Sequence, residues 1–546
     1  MHLKTIAITV FILTGGLCQH VASQDRNRKA VSTHIRIYDE TTKLTTPAMV
    51  YIVNKQFPKK LFFPGNRKND TVSRTKEFYQ GISFSSDKNW SGPIRKMNGY
   101  GDNDDRSFVY ELMPSLPYWK ESAIYQVSGD FMIDLHPGEW KISIEHGNEF
   151  IPLKHEFVVA DSETFHNEDI YIKRWINLPK MGWYAGDVHV HHPANKKKYI
   201  DFLLEYAKAE DIHLVNVLEM GHHKGTDFKQ AGFGKTFRIC EGNICLVSGQ
   251  EDPRSEFGHI IGLNISSQIR LPSMYNYYDT VFKLLHQQQG ALVGYAHFSW
   301  NGCELLRGLP WNITTGEIDF VELLQFGKIN TLNYYDYLNL GFRLTAAAGS
   351  DVPWGATLGE VRTFVYTGDT FSADNWFAGL KAGNSFVSNG PVLFFTAENF
   401  LPGTEIRVQN DDTLFLKVQA LSPKEIGKIE RIMLYSSEGQ IAEKMNESSS
   451  DSVTIQLKHK IRESQWIAAV AYCENGAVAH TTPIYVIANN QPIFNKKKAP
   501  EIIKTQLDLI DKTRGEEEVK SLPDNGIIFR LGRAQKFYEF LLKRVE

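Results

Sequence analysis

The sequence lacks any apolar run long enough to cross a bilayer, and it lacks the surplus of positive charge that a nucleic-acid backbone attracts. With 60 basic and 63 acidic residues the formal net charge is -3, so the expectation is a small-molecule substrate and no nucleic-acid partner. Cysteine is scarce too, five in 546 residues, and no second pair lies near CEGNIC (240–245), which excludes a zinc ribbon. Cys240 and Cys245 flank a Gly-Asn turn. They either close a small disulfide loop in an oxidising compartment or stand as free thiols beside a hairpin.

The N-terminus carries the longest apolar run. Lys4 precedes Ile6 to Leu17, and Val21-Ala22-Ser23 offers small residues for cleavage before Gln24. Residues 1–23 therefore read as a signal peptide, and the mature chain as a soluble periplasmic or secreted protein with no transmembrane segment. Leu17 before Cys18 is not the small residue that a lipoprotein site needs.

A chain of this length, 42% hydrophobic and 23% charged, should fold as several globular domains. Residues 27–178 hold short alternating runs such as THIRIYDE and FMIDLHPGEWKISIEHGNEF, which predict an N-terminal β-sandwich. From 181 to 395 apolar strands alternate with helix-period segments such as KKYIDFLLEYAKAED, which predicts a β/α barrel or a related parallel sheet. Residues 400–490 return to β-type runs and predict a second sandwich. Residues 497–546 read as a tail of two amphipathic helices packed on the barrel. The fold class is multidomain α/β plus β.

Half of the 18 histidines lie between residues 189 and 297, a fifth of the chain. In GDVHVHHP (186–193) Asp187, His189 and His191 alternate with valines, so in a strand all three point to one side. Imidazole nitrogen with carboxylate oxygen suits zinc, manganese or iron. Glu251 in SGQED and Asp351 in AAGSD each follow a strand through a glycine, Gly249 and Gly349, and supply the oxygen. His259 in FGHIIG and His297 in GYAHF complete a set of six, each at a strand end or the turn beside it. Functional residues gather at such ends in a β/α barrel. His213 and His286 sit in ordinary strand and helix contexts and read as structural.

The ordered motifs GDVHVHH, SGQED followed by GHI, GYAHF, and GSD with GEVRTFVY behind it resemble those of the PHP (polymerase and histidinol phosphatase) metallohydrolase superfamily. AEDIHLVNVLEMG and FAGLKAGNSFVSNGP resemble its exported CehA/McbA-like branch, typified by carbaryl hydrolase. The resemblance covers residues 181 to 395. It implies a distorted seven-stranded barrel and two divalent metal ions, one held by His189, His191, Glu251 and Asp351 and the other by Glu251, His259 and His297. A bridging hydroxide would then cleave a carboxylic, carbamate or phosphoester bond in a small molecule, because paired cations lower the pKa of a shared water from ~16 towards ~7. Asp187 or Asp252 would orient the ligand histidines, and Arg362 would either bind an anionic substrate group or sit in a salt bridge.

The chain departs from the family pattern in two places. LEMGHH (218–223) stands where many relatives have Thr-Asp-His, and Pro353 stands where they have a histidine. A third metal would thus depend on His192, His222 or His223. Two other readings compete: a carbohydrate-binding exported protein with a relict metal barrel, and an amidohydrolase barrel. Retention of all six ligands disfavours the first, and a glutamate where amidohydrolases commonly bridge with lysine disfavours the second.

Overall fold

The computed structural model describes residues 31–55, 57–61, 96–99, 108–111, 123–222, 225–255, 257–299, 306–352, 357–520, 522 and 526–545. The segment read as a signal peptide, together with His223, Cys303 and Pro353, lies outside the described residues, as does the side chain of His222. The protein is a mixed α/β molecule of several sheets ending in helices.

The N-terminal region shows why alternation makes a two-sided strand. In Val31–Asp39 the side chains of Val31, Thr33, Ile35 and Ile37 are buried, and those between them are partly exposed. This strand pairs in parallel with Phe165–Ile172 and antiparallel with Asp130–Leu135. A second sheet contains Ala48–Asn54, Gly138–Glu145 and Leu153–Val159. Ile35, Ile37, Val50, Ile52, Phe131 and Trp140 share one apolar cluster, so the two sheets face each other across it.

The central strands are apolar on both sides because both are covered. Trp183–Val190 is buried along its whole length. It pairs in parallel with Leu214–His222, which pairs in parallel with Ile244–Ser255. Helix Lys197–Ala209 makes the first crossover. The chain then turns back on itself: Gly258–Leu263 runs antiparallel to Ile244–Ser255, and Leu292–Tyr295 antiparallel to Gly258–Leu263. Parallel order resumes through Phe320–Gln325 and Thr345–Ala348. Beyond that strand Val352 bridges Val190, and Arg362–Tyr366 pairs with the other edge of Trp183–Val190. The late residues of the first and seventh of these strands are thereby neighbours.

The C-terminal strands, expected as a second sandwich, include several that are hydrogen-bonded into the central sheet. Ser385–Ser388 pairs with Val478–Thr481, whose neighbour Gln465–Cys473 pairs in turn with Ile429–Ser436. A further sheet joins Val392–Ala397, Thr413–Leu421 and Ser452–Lys460. Helices Ala499–Gly515 and Gly526–Leu542 form the tail and pack on the central region. Asp279 accepts from Arg530 at 2.5 Å and from Arg533 at 3.1 Å, and Tyr538 donates to the Pro310 carbonyl at 2.8 Å. Among the described residues no helix is long and apolar enough to cross a membrane.

Candidate metal centre

The six side chains expected as ligands meet in space. His189, His191 and Asp351 form one group and Glu251, His259 and His297 another, each with its ligand atoms within 4.8 Å of one another. Glu251 lies between them. Its Oε1 is 2.9 Å from His259 Nδ1, 3.5 Å from His297 Nε2 and 3.5 Å from His189 Nε2, and its Oε2 is 3.3 Å from His191 Nε2. Asp351 Oδ1 is 3.3 Å from His189 Nε2 and 3.4 Å from His191 Nε2. All but His259 are buried.

Local backbone conformation aims these groups. His297 and Asp351 have φ of 58° and 57°, a left-handed conformation that costs a side chain about 1–2 kcal/mol and clusters at functional sites. Gly349 leaves space for the ligands: a Cβ there would lie 2.4 Å from the His189 Cβ and 2.6 Å from Glu322 Oε1. Asp187 takes no place among the ligands. Its Oδ1 accepts from the amides of His189 and Ser350 at 3.0 Å each, and its Oδ2 from Gly359 at 2.9 Å, so it ties the backbones of two ligand-bearing segments together. Burial pushes its pKa up to about 6.

Ring hydrogen bonds select which nitrogens face inward. His189 Nδ1 donates to Glu322 Oε1 at 2.7 Å and His191 Nδ1 to the Leu218 carbonyl at 3.1 Å. Their Nε2 atoms then face each other at 2.9 Å. Two neutral rings in these tautomers would oppose lone pair to lone pair, so the gap takes either a cation or an extra proton. Burial works against a charged His189, but Glu322, Asp351 and Glu251 outweigh it and hold its pKa well above the ordinary value. Burial likewise works against Glu251 ionising, yet His259, Arg254 and His189 hold its carboxyl well below the usual range. Anionic carboxylates around inward nitrogen lone pairs are the donor set that a divalent ion of the zinc type wants. The residues fit such an ion.

Two contributors had not been singled out from the sequence. Glu322, fully buried, accepts from His189 Nδ1 and also from the His297 amide at 2.8 Å. Gln325 Oε1 accepts from His297 Nδ1 at 2.9 Å, leaving Nε2 to face Glu251. Their signal was polar side chains within the apolar strand FVELLQ.

Several expectations need correction. Arg362 is buried and donates to Glu210 Oε2 and to the carbonyls of Gly359 and Glu210, so it is not free to bind a substrate anion. Asp252 pairs with Arg270 at 2.6 Å and not with a histidine. His192 turns away from the ligands, stacked on Phe202 with centroids 5.0 Å apart. His213 and His286 are structural, as expected: one lies edge-on to Tyr184, the other pairs with Glu317 and Asp319. Cys240 and Cys245 face each other across the hairpin and form a disulfide.

No protein-family model and no curated protein matches the chain. Among solved structures, superoxide reductase (neelaredoxin) from Ignicoccus hospitalis is similar over 18% of this chain and 81% of its own, at 16% identity and a TM-score of 0.14. A lesion-specific endonuclease from Pyrococcus furiosus is similar over 37% of this chain and 57% of its own, at 13% identity and a TM-score of 0.23. Likenesses this slight carry no argument about the fold or activity of this chain.

Proposed function

We propose that the protein is an exported metal-dependent hydrolase of the PHP type, close to the CehA/McbA-like branch, with a seven-stranded barrel holding two divalent cations. Zinc, manganese and iron all suit the ligands. The reading rests on one observation: Glu251 lies within 2.9–3.5 Å of all four imidazoles, the position of a carboxylate shared between two ions. The Cys240–Cys245 disulfide supports export.

Bound cations would supply Lewis acidity, lowering the pKa of a shared water towards ~7 and polarising an ester oxygen. The chain's own groups divide the remaining tasks. His189, His191 and Asp351 would hold one ion, His259 and His297 the other, and Glu251 would join them. Glu322 and Gln325 fix the tautomers of His189 and His297, while Asp187 fixes the spacing of the His189 and Asp351 segments. The substrate is a small ester, of the carboxylic, carbamate or phosphate kind.

Elemental analysis of the protein and of Glu251→Gln tests the reading, alongside a screen of chromogenic phosphate, carboxylate and carbamate esters. Two equivalents of metal are expected in the protein, with loss of both metal and hydrolysis in the variant. Full activity of Glu251→Gln against a verified substrate would show the bridging role to be wrong.

A further inference from the structure

Arg254 is the partly exposed cationic side chain beside Glu251. It is 26% exposed, against 13% for His259 and 11% for Asp351. Residues three apart in a regular strand point to opposite faces, so Glu251 and Arg254 should diverge. They do not, because the ladder to Gly258–Leu263 shifts register between Glu251 and Arg254, and this bulge re-aims the arginine. Arg254 now stands opposite His259 across the ladder, with its Nε 3.0 Å from Glu251 Oε2. The backbone is pinned there: the Tyr275 hydroxyl accepts from the Arg254 amide at 2.6 Å and donates to its carbonyl at 2.7 Å.

The guanidinium is placed but not well bonded. Its Nε and Glu251 Oε2 form an ion pair without an aligned hydrogen bond. The neighbouring Arg270, by contrast, is committed to Asp252 and Thr226. Resting on the metallohydrolase reading, the charge balance gives Arg254 a task. Two divalent cations with a shared hydroxide would balance Glu251, Asp351 and Glu322 and would draw on the Glu251 oxygens, leaving a fixed positive group at the rim that has no other carboxylate partner among the described residues. A guanidinium so placed matches a planar or tetrahedral oxyanion.

We infer that Arg254 is a specificity-determining residue, which binds an anionic substituent of the substrate, a carboxylate or phosphate, beside the metal pair. The test uses the full chain, zinc-loaded and freed of excess ion, with zinc content measured and with inorganic phosphate and, separately, acetate titrated by calorimetry. Phosphate or acetate affinity should fall about ten- to a hundredfold in Arg254→Gln, the range of charge-assisted hydrogen bonds, and be partly kept in Arg254→Lys. Zinc content should stay equal in all three proteins. A response to acetate assigns a carboxylate, and a response to phosphate alone assigns a phosphate. Unchanged affinity in zinc-loaded Arg254→Gln, or wild-type protein that loads zinc yet binds neither anion, would overturn the assignment while sparing the metallohydrolase reading. Loss of zinc from Arg254→Gln would overturn it as well, by showing that the arginine serves Glu251 and not a ligand. Failure of the wild type to take up zinc would overturn both.

Discussion

Glu322 is where a single residue decides the most. Its two oxygens accept from two donors, His189 Nδ1 and the His297 amide, in a fully buried strand. Glutamine keeps the shape but offers one acceptor and one donor, so one of these N–H groups would face another N–H. Metal affinity in Glu322→Gln should fall about 10- to 100-fold, as loss of an outer hydrogen-bond partner to a ligand typically does, and competition with a chromogenic chelator measures it. Unchanged affinity would remove Glu322 from the site. His192 is the opposite case. Burial pushes its pKa down to about 4, its Nε2 has no hydrogen-bond partner, and it lies between Phe202 and Tyr199. His192→Phe should leave metal content unchanged and cost no more than about 2 kcal/mol, since an aromatic of similar shape removes one unsatisfied polar atom but also the Nδ1–H that donates to the Pro193 carbonyl at 2.7 Å. Metal loss in that variant would revive a third site.

At the level of strands and helices, legibility followed periodicity. Alternation in VSTHIRIYD and the apolar Trp183–Val190 were read correctly because the pattern of burial is written into successive residues. Five of the six candidate ligands were legible for a related reason: His189, His191, His297 and Asp351 stand at or just past strand ends and His259 follows Gly258, whereas Glu251, expected after a glycine turn, lies inside the strand Ile244–Ser255. Pairing itself was not legible. The hairpin of Ile244–Ser255 with Gly258–Leu263 interrupts the expected parallel order, and its bulge brings Arg254 to the ligands, yet both depend on contacts across strands. The two readings of Arg362, substrate anion or salt bridge, could not be separated in sequence, because a buried arginine looks the same whether it meets a substrate or Glu210; the structure shows the salt bridge. His286, at the end of helix Tyr278–His286, gives a pH test at this scale. Its bond to Asp319 raises its pKa, with burial opposing and Glu317 adding to the rise. A raised pKa in the folded state adds stability below the unfolded value of 6.5 and loses it as pH rises through the folded one. Partly screened by solvent, the cluster should contribute about 0.2–1 kcal/mol. His286→Gln should therefore lower the urea midpoint at pH 5.5 and converge with the wild type near pH 9; an equal loss at both values would contradict the ionic account.

For the whole molecule the six candidate ligands also tie distant segments together. His189 and Asp351 are far apart in sequence, and between them the other four ligands sit on or beside separate strands of one ladder. That ladder continues through Ser385–Ser388 and Val478–Thr481 into the C-terminal strands, and the tail helices share its apolar core. The N-terminal sheets have a cluster of their own and, among the described residues, meet the centre through groups such as Met49 in the central apolar cluster, His146 on the Ala209 carbonyl and Arg174 on Asp211. Metal binding should thus stabilise the central and C-terminal strands and the tail as one cooperative unit, leaving the N-terminal sheets almost unaffected. An ion held at a thousandfold above its dissociation constant contributes about 4 kcal/mol, so stripping two should lower the main transition by about 5 °C or more. Differential scanning calorimetry before and after chelation, with metal content verified, should show that transition fall while a smaller one stays in place. Glu251→Gln should melt like the stripped protein and gain nothing from added zinc. A verified metal-free protein that melted where the loaded one does would mean that these six side chains pack against each other without holding an ion.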